Sequence, residues 1–218
     1  MPKIMLNEQY GLETAVLKGT KTVTRRLCSV QPPYERSEIA FPVFDDAKYK
    51  SFDEMMQKEP LYGAFCWVNK DNPKEFTKWC RTRYKEGDIV AIAQCYNDIP
   101  DIYSRVPWDE LPLKSAGWRN KMFVKAKHMP NRIKIKKVGI QRLQDIPEED
   151  CLKEGIIPYT KDETVNKYSW INSRVPWADM PRSPREAFAA LIDKISGKGT
   201  WNKNPYVWRY EFELVKNE

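Results

Sequence analysis

The order of apolar and polar residues divides the chain into alternating, helical and irregular stretches. Tyr206–Val215 alternates residue by residue, the period of a half-buried strand, and is expected to close a sheet. Gly87–Tyr96 is a nearly continuous apolar run after a Gly-Asp turn and reads as a buried strand, and Lys3–Leu6 as a short one. Leu12, Ala15 and Val16 recur at helical spacing inside a helix predicted over Glu8–Lys18, with Asn7 as its cap and Gly19 as its stop. Thr20–Leu27 is β-prone through its threonines and valine. Ile146–Gly155 reads as a compact helix with Pro147 in its first turn, acids near its start and Gly155 closing it. Arg185–Ser196 carries Ala187, Phe188, Leu191, Ile192 and Ile195 on one helical face and ends at Gly197.

Charge adds a second pattern. The chain has a net charge of +7, and the stretch Lys114–Lys137 holds nine Lys/Arg and no acid, so the basicity has an address. In Lys121–Lys127 the residues Met122, Val124 and Ala126 alternate with Lys121, Phe123, Lys125 and Lys127. In Arg132–Lys136 the residues Ile133 and Ile135 alternate with Arg132, Lys134 and Lys136. Alternation on both sides of His128-Met129-Pro130-Asn131 predicts a hairpin whose second strand Val138–Leu143 extends. Its outer face would show five or six cations and Phe123, a surface able to hold phosphates and stack a base. Lysines on an exposed strand also serve simply to discourage edge pairing.

Gln31–Tyr84 is irregular, proline-broken and rich in aromatics, and reads as a folded insertion with short helices. Asn97–Gly117 and Ile156–Pro184 read as long loops. Each holds one copy of Ser-Arg-Val-Pro-Trp, at Ser104–Trp108 and Ser173–Trp177. The copies are either two similar Pro-Trp turns packed on the core or two lips of one groove carrying Arg105 and Arg174. Strands separated mostly by loops, with three helices, give an α+β or small-barrel architecture in one domain over residues 1–218.

Composition narrows the chemistry. No run of eighteen apolar residues is present, so no membrane-spanning segment is expected. The first residues show no apolar signal core, and five cysteines without CxxC spacing read as free thiols, which together suggest a cytoplasmic protein. The single His128 leaves no histidine-rich metal site and makes a Ser-His-Asp triad improbable, and neither GxxxxGK[ST] nor GxGxxG occurs. No cofactor or metal is therefore expected.

Several segments, in order, resemble the ASCH domain, a member of the PUA-like β-barrel superfamily. Gly19-Thr20-Lys21-Thr22-Val23-Thr24-Arg25-Arg26 is similar to the family's Gly-x-Lys-Thr-x-Thr-x-Arg signature. Tyr84–Gln94 resembles the family strand after a Gly-Asp turn. Trp118–Ile156, with His128-Met129-Pro130, Arg142-Leu143-Gln144-Asp145-Ile146 and Glu154-Gly155-Ile156, follows the pattern, as does Trp201–Trp208 with Phe212. About half the chain is covered, phage- and prophage-encoded bacterial members look closest, and insertions at about 31–84 and 157–184 have no counterpart.

The resemblance implies a PUA-like small β-barrel flanked by helices, binding RNA or a modified nucleoside or nucleotide in a cleft beside the barrel. Some small members are amidohydrolases that deacetylate 4-acetylcytidine, and ribonuclease activity is attributed to others. By similarity, Lys21, Thr24 and Glu154 would be the catalytic group. Hydrolysing an amide needs an activated nucleophile, a proton shuttle and an oxyanion donor. Glu154 could act as base for water or for Thr24 through Lys21, while Lys21 could activate Thr24 or hold the oxyanion. Thr22, Arg25 and Arg26 would bind ligand on the same strand, beside the cations Lys121, Lys125, Lys127, Arg132, Lys134 and Lys136. Gln94 stands where family strands often place an acid, and being neutral it cannot act as a base. Lys21 with Glu154 can equally be a structural ion pair. A third class, a protein-interaction module, would use the aromatics Phe65, Trp67, Phe76 and Trp79 as its contact surface.

Overall fold

The computed structural model describes residues 1–41, 63–111, 113–160 and 165–215. Its main sheet has five strands: β1 (Lys3–Ile4), β2 (Val23–Leu27), β6 (Ile89–Ile92), β7 (Arg132–Arg142) and β10 (Tyr206–Val215), in the order β1-β6-β7-β10-β2. β1 runs parallel to β6 and the other pairings are antiparallel. Three more strands, β3 (Ser37–Ala40), β4 (Ala64–Asn69) and β5 (Cys80–Arg81), form a second sheet, and β8 (Ile156–Thr160) pairs with β9 (Asn166–Trp170). The helices are α1 (Leu12–Leu17), α2 (Ile102–Arg105), α3 (Glu148–Lys153), α4 (Pro184–Ser196) and α5 (Thr200–Lys203). This is a mixed α/β architecture with several sheets. β1 and β2 are the two edges of the main sheet, and among the described residues no pairing joins them into a closed barrel.

β10 lies inside the sheet, between β7 and β2, instead of closing it at an edge. The long β7–β10 ladder changes parity in the middle. Ile133 and Ile135 are buried before the register shift at Glu211/Phe212, and Val138 and Ile140 pack on the core after it. One extra residue in β7 lets odd positions face the core on one side of the bulge and even positions on the other.

Four expectations change. Lys121–Lys127 is not a strand. Lys121–Phe123 and Ala126–His128 are single 3₁₀ turns, and β6 and β10 flank β7 in place of a basic partner strand. With β6 and β10 the β7 backbone is paired on both sides, which leaves no edge for a basic partner strand, and its isoleucines are buried. The described part of 31–84 contributes strands where short helices were expected, and residues 42–62 lie outside the described residues. The second predicted loop holds the β8–β9 pair, in which Thr160 is partnered with Asn166. The helix after Asn7 starts only at Leu12, because Gly11 has φ 66° and Asn7 supplies its carbonyl rather than its side chain to the Leu12 N–H.

The main core joins Ile133, Ile135, Tyr210 and Phe212 of the sheet to Phe65, Trp67 and Cys80 of the second sheet and to Phe188 and Leu191 of α4. A smaller core gathers Tyr96, Ile99, Ile102, Val106, Val124 and Met129 under the 95–129 segment. Tyr96 is fully buried there and its hydroxyl accepts the Lys125 N–H at 2.8 Å, so a segment of short turns is still held in place. Burying each such large side chain contributes roughly 1.5–3 kcal/mol.

Candidate functional site

Two helix ends meet at the start of β2. α1 closes with both hydrogen bonds of a Schellman motif, Thr20 N–H to Ala15 O at 2.9 Å and Gly19 N–H to Val16 O at 2.9 Å, with Gly19 left-handed at φ 73°. The Ala15 carbonyl also accepts the Lys21 N–H at 3.0 Å, and Thr22 N–H donates to Lys153 O at 2.9 Å, so Lys21 and Glu154 face each other in an antiparallel bridge. Gly155, at φ 96°, is needed for closeness as well as for conformation: a Cβ there would stand 3.3 Å from Ala15 Cβ.

This corner brings together the residues singled out by the signature. Lys21 Nζ donates to Glu154 Oε2 at 2.5 Å, to Glu154 O at 2.9 Å and to Val23 O at 2.8 Å. Arg25 donates to Glu154 Oε1 at 3.0 Å and to Asp150 Oδ2 at 2.8 Å, and Arg209 Nε reaches the same Asp150 oxygen at 2.9 Å. Burial pushes the Lys21 amine down, against the pull of Glu154. Burial works to raise the Asp150 carboxyl, but hydrogen bonds from Arg209 and Arg25 outweigh it and hold the group at about 2. Asp150 and Arg209 were not singled out from sequence. The four-residue spacing of Asp150 and Glu154, one turn of helix apart, is the signal that places both carboxylates on one face.

A cavity of 640 Å³ opens over this corner, lined by Lys21, Thr24, Arg25, Arg26 and Glu154 on one side. Met5–Gln9 and Lys121 form a second wall, and Phe188, Leu191 and Ile192 of α4 an apolar third. Arg26 donates to Met5 O at 2.6 Å, and among the described residues it has no carboxylate within ion-pair distance. Burial lowers its pKa too, with Tyr84 and Glu154 opposing. Thr24 is buried on the face of β2 opposite Arg25, and among the described residues its hydroxyl has no hydrogen-bond partner. No hydrogen bond links Thr24 to Lys21 or Glu154. A proton relay through Lys21 therefore does not exist in this arrangement.

The other expected ligand residues scatter. Thr22 is half-buried and enters through its backbone. Gln94 donates to Glu13 at 2.8 Å and accepts from Asn131 at 3.1 Å, away from the cavity lining. Burial, followed by repulsion from Glu8, raises that Glu13 carboxyl to about 7. Lys121 reaches the cavity rim, where it is tied to Leu6 O and Glu8. Lys127 pairs with Glu110, Lys136 with Glu213 at 3.3 Å, and Lys125 and Lys134 are exposed. Arg132 lines a different cavity. The stretch without acids in sequence thus meets acids from elsewhere in space at Lys121, Lys127 and Lys136.

Both Ser-Arg-Val-Pro-Trp copies end in the same 3₁₀ turn, closed by Glu110 N–H to Pro107 O at 2.9 Å and Asp179 N–H to Pro176 O at 2.9 Å. Arg105 and Arg174 line two separate cavities and do not share a groove. The proposed aromatic contact surface also divides: Phe65 and Trp67 are core, Trp79 is half-buried, and Phe76 is exposed. No helix among the described residues is long and apolar enough to cross a membrane. Comparison with family models, curated proteins and solved structures finds no match to this chain.

Proposed function

We propose that the chain binds a nucleotide or modified nucleoside, free or within RNA, in the 640 Å³ cavity over the β2–α3 corner, as an ASCH-like protein whose main sheet is an opened PUA-like barrel. One observation carries this reading: Lys21, Thr24, Arg25 and Arg26, near the start of β2, and the sequence-distant Glu154 line a single cavity. Four cations of the cavity lining (Lys21, Arg25, Arg26, Lys121) stand against two carboxylates (Glu8, Glu154), which leaves a positive surplus for an anionic ligand. The apolar α4 wall offers a face for a base, and Arg26 and Thr24 offer donors for its polar edge or phosphate.

Amide hydrolysis of a 4-acetylcytidine-like nucleoside is the second reading, favoured by the unpartnered Thr24 hydroxyl that lines the same cavity as a buried lysine and carboxylate. It ranks below binding on geometry. All three Lys21 donors are engaged and both Glu154 oxygens accept from cations, so neither group is free to take a proton until the pair opens.

Calorimetric titration with cytidine, its 5′-monophosphate and a short single-stranded RNA tests binding, with Arg26→Gln as the variant. Phosphate-bearing ligands should lose about tenfold in affinity, the scale of one charged hydrogen bond. Unchanged affinity, or no binding by any of the three, overturns the reading. Acetate release from 4-acetylcytidine, abolished by Thr24→Val in a folded protein, would put hydrolysis first.

A further inference from the structure

A second polar cavity, of 400 Å³, is lined by Arg105, Lys127, His128, Met129, Pro130 and Arg132. His128 is only 7% exposed, and its proton can be placed from its neighbours. The Tyr96 hydroxyl accepts the Lys125 N–H at 2.8 Å, which leaves its own proton for His128 Nδ1 at 3.3 Å. With Nδ1 accepting, the imidazole hydrogen sits on Nε2. Burial, aided by Lys127 and opposed by Glu110, lowers the His128 pKa and keeps the ring neutral. Nε2 is buried and has no hydrogen-bond acceptor among the described residues, since the nearest carboxylate oxygen, Glu110 Oε2, stands at 3.6 Å. Arg132 Nε is buried and unmatched in the same way. Arg105 spends its Nε on Pro100 O at 3.2 Å and has no carboxylate within ion-pair distance among the described residues.

Arg105 and Arg132, two cations without a carboxylate partner among the described residues, line one cavity together with Lys127 and the buried His128 ring, and a buried donor left without an acceptor costs about 1–3 kcal/mol. The charged side chains of the lining, Arg105, Lys127 and Arg132, are all cations, which asks for a negatively charged group. The donors arrive from three places, Arg105, the Lys127–His128 turn and the start of β7, and a tetrahedral oxyanion offers oxygens in as many directions.

We propose that the Arg105–His128–Arg132 cavity binds a phosphate group. Glu110 is half-exposed, pairs with Lys127 and is the carboxylate closest to this position, so it competes with the ligand. The site stands independently of the cleft over the β2–α3 corner.

Titration of the whole chain with inorganic phosphate, followed by the His128 imidazole nitrogen resonances, tests the site. The Nε2 signal should shift and saturate at millimolar phosphate. Arg132→Gln and the exposed Arg105→Gln should each weaken binding by about tenfold, and Glu110→Gln should tighten it severalfold. Arg105→Gln keeps the test open if the Arg132 variant does not fold. A trinucleotide with internal phosphodiesters only, run against a 5′-monophosphate, separates a nucleic-acid backbone from a free or terminal phosphate as the source; tight binding of either at His128 supports the site. An Nε2 signal unmoved by tens of millimolar phosphate, or binding indifferent to Arg105→Gln, overturns it.

Discussion

Two buried polar regions of this molecule solve the same problem in opposite ways. At the β2–α3 corner the three Lys21 donors and both Glu154 oxygens are matched within the chain, at 2.5–3.0 Å, although Arg25 Nε is left without an acceptor among the described residues. Around the His128 cavity two lining residues, His128 and Arg132, each hold a buried nitrogen that no acceptor among the described residues meets. The difference separates groups that hold the fold from groups that wait for a ligand. A satisfied network is rigid and costly to break, whereas an unsatisfied donor carries a cost that a bound anion removes.

The largest expected effect breaks the corner. Glu154→Gln leaves Lys21 and Arg25 short of a buried counter-charge and should lower unfolding free energy by roughly 3–5 kcal/mol, read as a fall in urea midpoint at constant slope. An effect below about 1 kcal/mol would mean that the pair is not buried in solution, and the contrast with the His128 cavity would vanish.

Next comes Gly155→Ala, which tests how the corner is positioned. Left-handed backbone and the 3.3 Å approach to Ala15 Cβ should together cost about 1–3 kcal/mol. Gly19→Ala has the same backbone strain with nothing within 4 Å of the added methyl, so it should cost less. Equal losses in the two variants would show that close packing of α1 on α3 contributes nothing.

The mildest test is pH. Asp150 has a folded-state value of about 2, depressed below the ordinary carboxylate value, so its contribution is complete above about pH 4 and is lost as pH falls towards 2. Glu13 runs the other way: raised to about 7, it favours the folded state fully below about pH 4 and loses that contribution as pH rises through 7. Stability should therefore fall on both sides, and Glu13→Gln should flatten the alkaline side alone. A profile unchanged by that variant would separate Glu13 from the effect.

Local signals were legible where one element satisfies its own needs. The alternation of Tyr206–Val215 corresponds residue for residue to β10, and Gly19 and Gly155 stop α1 and α3 at positions where only a left-handed residue fits. Lys21, Thr24 and Glu154 were named from a sequence pattern, and they line one cavity. Alternation misled at Lys121–Lys127, because period two describes a strand only if a neighbour completes its hydrogen bonds, and there the chain turns twice.

What the chain order alone determined was the set of elements whose periodicity and stop residues are local, together with the clustering of positive charge along 114–137. Tertiary structure decided which charges stay unmatched. Glu8, Glu110 and Glu213 come from distant segments to neutralise Lys121, Lys127 and Lys136, while Arg26, Arg105 and Arg132 receive no such partner among the described residues. Burial did the same for His128, whose Nδ1 lies 3.3 Å from the Tyr96 hydroxyl while Nε2 meets no acceptor among the described residues. Pairing and desolvation depend on distances in space, and a linear pattern of residue types does not contain them.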